Sequence, residues 1–240
     1  MGIFDQQEFE IRLEWGLEGV EILAPISDVI IIVDVLSFST CVDFVTCMGV
    51  TVYPYRWKDE TAKAYATQIG AALAGPRDKS ESSFSLSPAS FLDVPLPEKL
   101  VLPSANGSTL SLATGNAKTI CGCLRNAEAV ARHAMQLGNK IAIIPAGEQW
   151  PGDSLRPAFE DLLGAGAIIS FLKGSLSPES KAALAVFKEM RNMQEQIKRC
   201  SSGKELIAKG FESDVRIASD FNVSKNVPML VDGAYRGLIF

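Results

Sequence analysis

Five consecutive β-branched residues, Val29-Ile30-Ile31-Ile32-Val33, stand between Asp28 and Asp34 and run on into Val35-Leu36. A run with no polar alternation suits a strand covered on both faces, in a sheet with helices above and below. An acid at the end of such a strand is costly to bury unless a metal or hydrogen-bond donors compensate it. The chain therefore has to supply two helical layers and a partner for Asp34. Its 240 residues, 47% of them hydrophobic, suffice for a single domain over 1–240, or for two α/β halves sharing one site.

The rest of the sequence alternates strand-like and helix-like segments. Strands are expected over 10–15, 28–36, 50–55, 99–103, 119–124 and 140–145, with a closing hairpin over 227–240 turned by Asp232-Gly233. Helices are expected over 39–48, over 59–69 with Asp59 as N-cap, over 126–137, and after Pro157. A long polar helix opened by Ser177-Pro178 is expected to reach Arg199, and Ser202 with Glu205 forms a capping-box pattern. This order predicts a layered α/β/α fold with a mostly parallel or mixed sheet. Gly164 and Gly166 inside a helix weaken it unless they allow close packing on the sheet. The Ser- and Pro-rich stretch 75–97 reads as a long loop, either a lid over a site or a surface crossing.

Composition removes several function classes. With 23 basic and 28 acidic residues the net charge is −5, and no basic cluster is interleaved with aromatics, so neither nucleic acid nor an anionic membrane is an expected partner. Residues 1–15 carry Asp5, Glu8, Glu10 and Glu14 and do not read as a leader, and no apolar run approaches a membrane span; a cytoplasmic enzyme is expected. The five cysteines form no Cys-x-x-Cys pair and read as reduced and buried. The single histidine, His133, excludes metal sites that need two and argues against a Ser-His-Asp triad; it reads as structural or solvent-facing. Walker A, dinucleotide and cysteine-phosphatase signatures are absent.

Three polar clusters remain at expected strand ends, where open α/β sheets bind ligands. Asp34 reads as a metal ligand or catalytic carboxylate, or else as a cap of the following turn, with Ser37, Ser39 and Thr40 as caps or anion donors. A haloacid-dehalogenase-like phosphatase would use Asp34 as nucleophile, but that site needs a second acid where Leu36 stands. The loop Pro103-Ser104-Ala105-Asn106-Gly107-Ser108-Thr109 reads as a phosphate-binding turn or a plain one. Glu148, Glu160 and Asp161 with Asp34 would make an oxygen-rich site suited to Mg²⁺, and Arg156 could hold an anion bidentately. The residues thus suggest metal-assisted chemistry on a small phosphorylated molecule, with a non-catalytic anion-binding or regulatory protein as the alternative.

These clusters, in this order, resemble the 2-phosphosulfolactate phosphatase family. The resemblance lies in Ile32-Val33-Asp34-Val35-Leu36, Pro103 to Thr109, Leu124-Arg125-Asn126, Pro145-Ala146-Gly147, Phe159 to Ala167, Ser201-Ser202-Gly203-Lys204, Gly210-Phe211 and Asp214-Val215. It implies an Mg²⁺-dependent hydrolysis of 2-phospho-3-sulfolactate to 3-sulfolactate and phosphate, in coenzyme M biosynthesis. It implies Asp34 as a metal ligand, or else a base or nucleophile; the candidate catalytic carboxylates are Asp34, Glu148 and Asp161, and the candidate metal ligands are these three and Glu160. Ser37, Ser104, Asn106, Gly107, Ser108, Thr109, Arg125, Asn126, Arg156 and Lys204 would hold the substrate. An α/β enzyme of this size is often a homodimer. The chain departs from the family pattern at Ser37, where many members carry Arg, at Lys204, where Arg is common, and in a longer loop containing Trp150. Serine cannot replace the rigid fork of an arginine.

Overall fold

The β-branched run forms β2 (Val29–Val33), and every one of its side chains is buried. Alternate residues serve opposite layers. Val29, Ile31 and Val33 pack with residues of α5 (Ala127–Leu137) and α6 (Phe159–Ile169). Ile30 and Ile32 pack with Val20 and Leu23 of α1 (Gly16–Leu23) and Leu110 of α4 (Gly107–Ala113). Each such side chain contributes about 1.5–3 kcal/mol relative to exposure, which is why this strand is the spine of the molecule. The computed structural model describes residues 2–57, 59–77 and 83–239.

Among the described residues the main sheet has nine strands. β1 (Ile11–Leu13), β7 (Ile141–Pro145), β2 and β6 (Lys118–Gly122) lie side by side and parallel. The hairpin of β10 (Asn226–Val231) and β11 (Ala234–Ile239) follows, with β10 antiparallel to β6. β3 (Thr51–Tyr55) runs antiparallel to β11 and parallel to β5 (Lys99–Pro103), and β4 (Ala72–Leu73) pairs with β5. The sheet is thus mixed: two parallel groups joined by an antiparallel hairpin. Helix α2 (Phe38–Thr46) touches β3, β6, β10 and β11, so the sheet wraps around it. Its Phe38, Cys41, Val42 and Val45 form a second core with Val52, Leu100, Leu102 and Tyr235.

The expected strands are found with shifts of a few residues, and α3 (Glu60–Ile69) starts at Asp59, whose carboxylate accepts from Thr61 N. Several expectations are corrected. The long polar helix is two: α7 (Pro178–Glu189) and α8 (Met193–Arg199), separated where Asn192 takes φ 54°. Helix α9 (Ser201–Ala208) is capped by Cys200, whose sulfur accepts from Gly203 N, and not by Ser202. The loop after β7 carries its own two-stranded ribbon, β8 (Glu148–Gln149) with β9 (Leu155–Arg156). Helices α1, α4 and α10 (Glu212–Ala218) were not anticipated. The stretch 75–97 contains a 3₁₀ turn at Pro88–Phe91, and residues 78–82 lie outside the described ones, so its reading as a lid falls partly there. Cys41, Cys121 and Cys123 are buried thiols, Cys200 is half-buried, and Cys47 is exposed, contrary to expectation. His133 is half-buried, with Nε2 3.2 Å from Met229 Sδ.

The helix glycines do allow close packing. A Cβ on Gly164 would sit 2.7 Å from the Val35 side chain, and one on Gly166 would collide with the backbone carbonyl of Ala183 in α7. A backbone oxygen cannot swing aside as a side chain does. Gly166→Ala should therefore destabilise the protein by about 1–3 kcal/mol in urea unfolding. Gly152→Ala, in open space, should stay within about 0.5 kcal/mol of the parent; equal midpoints for the two variants would refute the packing argument.

Candidate active site

Asp34 leaves β2 directly into a tight turn. Its backbone N–H donates to Ser39 Oγ (2.9 Å), and Thr40 Oγ1 donates to Val35 O (2.7 Å). Ser39 and Thr40 thus shape the turn. The Asp34 carboxylate accepts from two backbone donors, Phe38 N on Oδ1 (3.1 Å) and Gly107 N on Oδ2 (3.0 Å). The first of these caps α2, as one of the two sequence readings held. The second ties the β2 turn to the loop after β5. Gly107 permits this approach because a Cβ there would run into the Phe38 ring.

Asp161, in the first turn of α6, makes a second tie. Its Oδ1 accepts from Val35 N (2.8 Å) and its Oδ2 from Gly147 N (2.9 Å). Glu148, next in that loop, is fixed by Asn106 Nδ2, which donates to Oε2 at 3.1 Å. Glu160 is buried, with Cys200 Sγ 3.3 Å from its Oε2. Asp34 from the turn after β2, Glu148 from the segment after β7, and Glu160 and Asp161 from the first turn of α6 therefore converge.

The electrostatics follow from that crowding. Burial pushes the Asp34 carboxyl up to about 6, against the pull of the Phe38 and Gly107 N–H bonds, and Glu160 adds to the rise. Burial pushes Glu148 up to about 7, with Asp34 and Glu160 adding to it. Asp161 is raised well above the carboxylate range by burial, then by Asp34 and Glu160. Burial comes first in each case, and Asp34 and Glu160 add to it because the backbone N–H bonds offset only part of the acids' charge.

Such a set fits a hard cation in one way and not in another. All its donors are oxygens, and its excess negative charge is what a divalent ion relieves. Among the described residues, however, no three His, Cys, Asp or Glu side chains are grouped to hold a metal by themselves. The fit is to magnesium on one or two carboxylates with water and substrate, not to a protein cage.

The expected phosphate cradle is largely committed elsewhere. Ser104 N donates to Tyr55 O, Gly107 N to Asp34, and Ser108 Oγ to Leu102 O. Thr109 lies half-buried in the first turn of α4. Of that loop, Asn106 is the residue that reaches an acid through its side chain. Arg156 donates to Ser202 Oγ (3.2 Å) and lies over the Trp150 ring, 5.7 Å from its centroid. Arg125 and Asn126 are not brought to the acids. Arg125 pairs with Asp43 and Asp220, and Asn126 binds Cys123 N and the carbonyls of Cys121 and Asn226, so both fasten the end of β6 to α2 and β10. Lys204 is exposed on α9.

One residue near the acids was missed. Arg77 Nη2 donates to Ser37 Oγ at 2.5 Å. Its one sequence signal was a cation inside the Ser- and Pro-rich loop. Arg77, Glu148, Leu36, Ser202, Lys209 and Phe211 line a cleft of about 630 Å³.

The model of the family described as 2-phosphosulpholactate phosphatase matches residues 20–233. The chain is 29% identical over 228 residues to the probable 2-phosphosulfolactate phosphatase of Thermotoga petrophila, covering 89% of this chain and 96% of that one. It is 30% identical over 207 residues to the probable 2-phosphosulfolactate phosphatase of Carboxydothermus hydrogenoformans, covering 83% and 84%. It is 31% identical over 134 residues to the 2-phosphosulfolactate phosphatase of Methanothermobacter thermautotrophicus, where the match spans 56% of this chain and 57% of the relative. The match over nearly the whole length, together with acids gathered at the carboxyl ends of β2 and β7, establishes that the chain belongs to the 2-phosphosulpholactate phosphatase family of phosphoric monoester hydrolases.

Proposed function

We propose that this chain is a magnesium-dependent phosphatase that hydrolyses 2-phospho-3-sulfolactate to 3-sulfolactate and inorganic phosphate. The relatives' names supply the substrate. The observation that carries the chemistry is the joint elevation of buried Asp34 and half-buried Glu148, raised first by loss of water and then by the neighbouring acids. Asp34 and Glu148 would hold the ion, which when bound polarises a phosphoryl oxygen and offsets the charge that develops on it.

The side chains around them hold the geometry. Phe38 N and Gly107 N orient Asp34, and Asn106 orients Glu148. Asp161 accepts from Val35 N and Gly147 N, which fixes the two acid-bearing loops relative to one another, so its role is positioning. Arg156 and Arg77 bring positive charge to the substrate's anionic groups.

Purified protein with Mg²⁺ should release phosphate from 2-phosphosulfolactate in preference to other esters of a phosphoester panel. Asp34→Asn removes the charge and turns an amide N–H₂ toward a backbone donor, and should lower kcat/KM by about 10²–10³-fold. Full activity in a folded Asp34→Asn protein would sink the assignment. Release from no ester would move the reading to an anion-binding protein.

A second test uses stability alone. The folded-state values of about 6 for Asp34 and about 7 for Glu148 lie above the roughly 4 of an unfolded chain. Between those limits the folded state binds more protons, so stability is greatest at the acidic end and falls as pH rises through the folded values. In chelator, Tm should drop between pH 5 and pH 8 (chosen to bracket that window), and Mg²⁺ should restore it most at pH 8. The Glu148→Gln protein should lose part of both effects; an unchanged pH profile in that variant and no Mg²⁺ response in the parent would count against the site.

A further inference from the structure

Arg77 lies outside every helix and strand, just after Pro76. Its guanidinium is nevertheless fixed. Nε faces Asp214 Oδ2 at 3.4 Å, and the ring of Phe211 lies 5.5 Å from Cζ. Asp214 is fully buried, and its Oδ1 accepts from Ser87 Oγ (2.6 Å) and Ala89 N (3.1 Å), so it cannot follow the arginine elsewhere. One edge of the guanidinium is spent on this anchor. The Nη2 end reaches the buried Ser37 Oγ, three residues beyond Asp34, and Arg77 and Glu148 line one cleft.

The other cation on that wall, Lys209, is matched by Glu205 at 2.6 Å on the same exposed helix end. Arg77 differs in being held by a buried acid on one edge while its far end stands beside the acid cluster, close enough to lower the Asp34 carboxyl. A planar fork held that way suits an oxyanion with two or three equivalent oxygens. Ser37, a neutral hydroxyl, brings no charge of its own to this place.

We propose that Arg77 is the specificity-determining residue of this site, binding the second oxyanion of the substrate, a carboxylate or sulfonate carried beside the phosphoester. The proposal rests on the phosphatase reading for its substrate class, and its test does not depend on turnover. The phosphoryl group belongs to the acids and their ion. The second oxyanion would be repelled by those acids and requires a separate fixed cation, which Asp214 and Phe211 hold in place.

Titration calorimetry with 3-sulfolactate and, separately, with inorganic phosphate, in Mg²⁺, would test this on the parent, Arg77→Gln and Arg77→Lys. Arg77→Gln should weaken 3-sulfolactate by about tenfold or more and leave phosphate within about twofold. Arg77→Lys keeps a cation beside Asp214 and should recover part of the loss; it also carries the test if the glutamine variant does not fold. Competition by lactate and by 2-hydroxyethanesulfonate separates the two oxyanions, since the one Arg77 reads should lose its competition in Arg77→Gln. No change in 3-sulfolactate affinity in the variants, equal loss for 3-sulfolactate and phosphate, or no 3-sulfolactate binding by the parent would overturn the proposal. Arg77-dependent binding of 3-sulfolactate by a protein that releases no phosphate from any ester would instead overturn the phosphatase reading and keep this one.

Discussion

Two buried carboxylates, Asp34 and Asp161, each accept two backbone N–H bonds, and those four bonds join loops after β2, β5 and β7. Charge-assisted bonds to backbone donors are about twice as strong as neutral ones. They orient the acids without cancelling their charge; burial raises both, Glu160 adds to each, and Asp34 and Glu160 together add to the rise at Glu148. The same bonds that assemble the site therefore leave it in electrostatic debt, and a cation or a proton settles it. Structure and reactivity here have one cause.

That assembly depends on the sheet. By their pairing, β2 and β5 belong to parallel groups that run in opposite senses, joined through the hairpin β10–β11. In a flat sheet their following loops would lie at opposite edges. The sheet instead wraps around α2, where Phe38 meets Tyr235 edge-on at 6.1 Å and the Tyr235 hydroxyl lies 2.8 Å from Ser111 Oγ of α4. Accumulated strand twist allows such wrapping. Gly107 can then deliver its N–H to Asp34 from the other half of the sheet.

The parts of this architecture written in local pattern were legible. The apolar run of β2, the strands β5 and β7, the Asp59 cap and the Asp232-Gly233 hairpin were all read from spacing and composition. Helix α4 was not, because Gly-Ser-Thr after a strand has the composition of a turn, and its seven residues are held by Phe38, Asp34 and Tyr235 from elsewhere. The same holds within the site. Asp34, Glu148, Glu160 and Asp161 were recognisable as acids at strand ends. Arg125 and Asn126 looked alike in sequence, yet the buried Asp43 of α2 and the carbonyls beside β6 and β10 claim them. Arg77 was hidden because both its partners, Ser37 and Asp214, are remote in the chain.

Arg77 and the acid cluster solve one problem from two sides. A site that gathers buried carboxylates attracts a cation and repels every anion that lacks one. A substrate that carries further anionic groups beside its phosphoester can enter only if they find positive charge of their own, and Arg77 supplies it at the edge of the acid cluster. A lysine, a point charge on a flexible stem, would hold that place less firmly. A guanidinium that faces a buried aspartate through Nε is held more firmly, because moving it would leave Asp214 less well paired in the interior, which costs several kcal/mol. The buried Asp214 thus acts on the site at a distance, by holding Arg77 at the edge of the acid cluster.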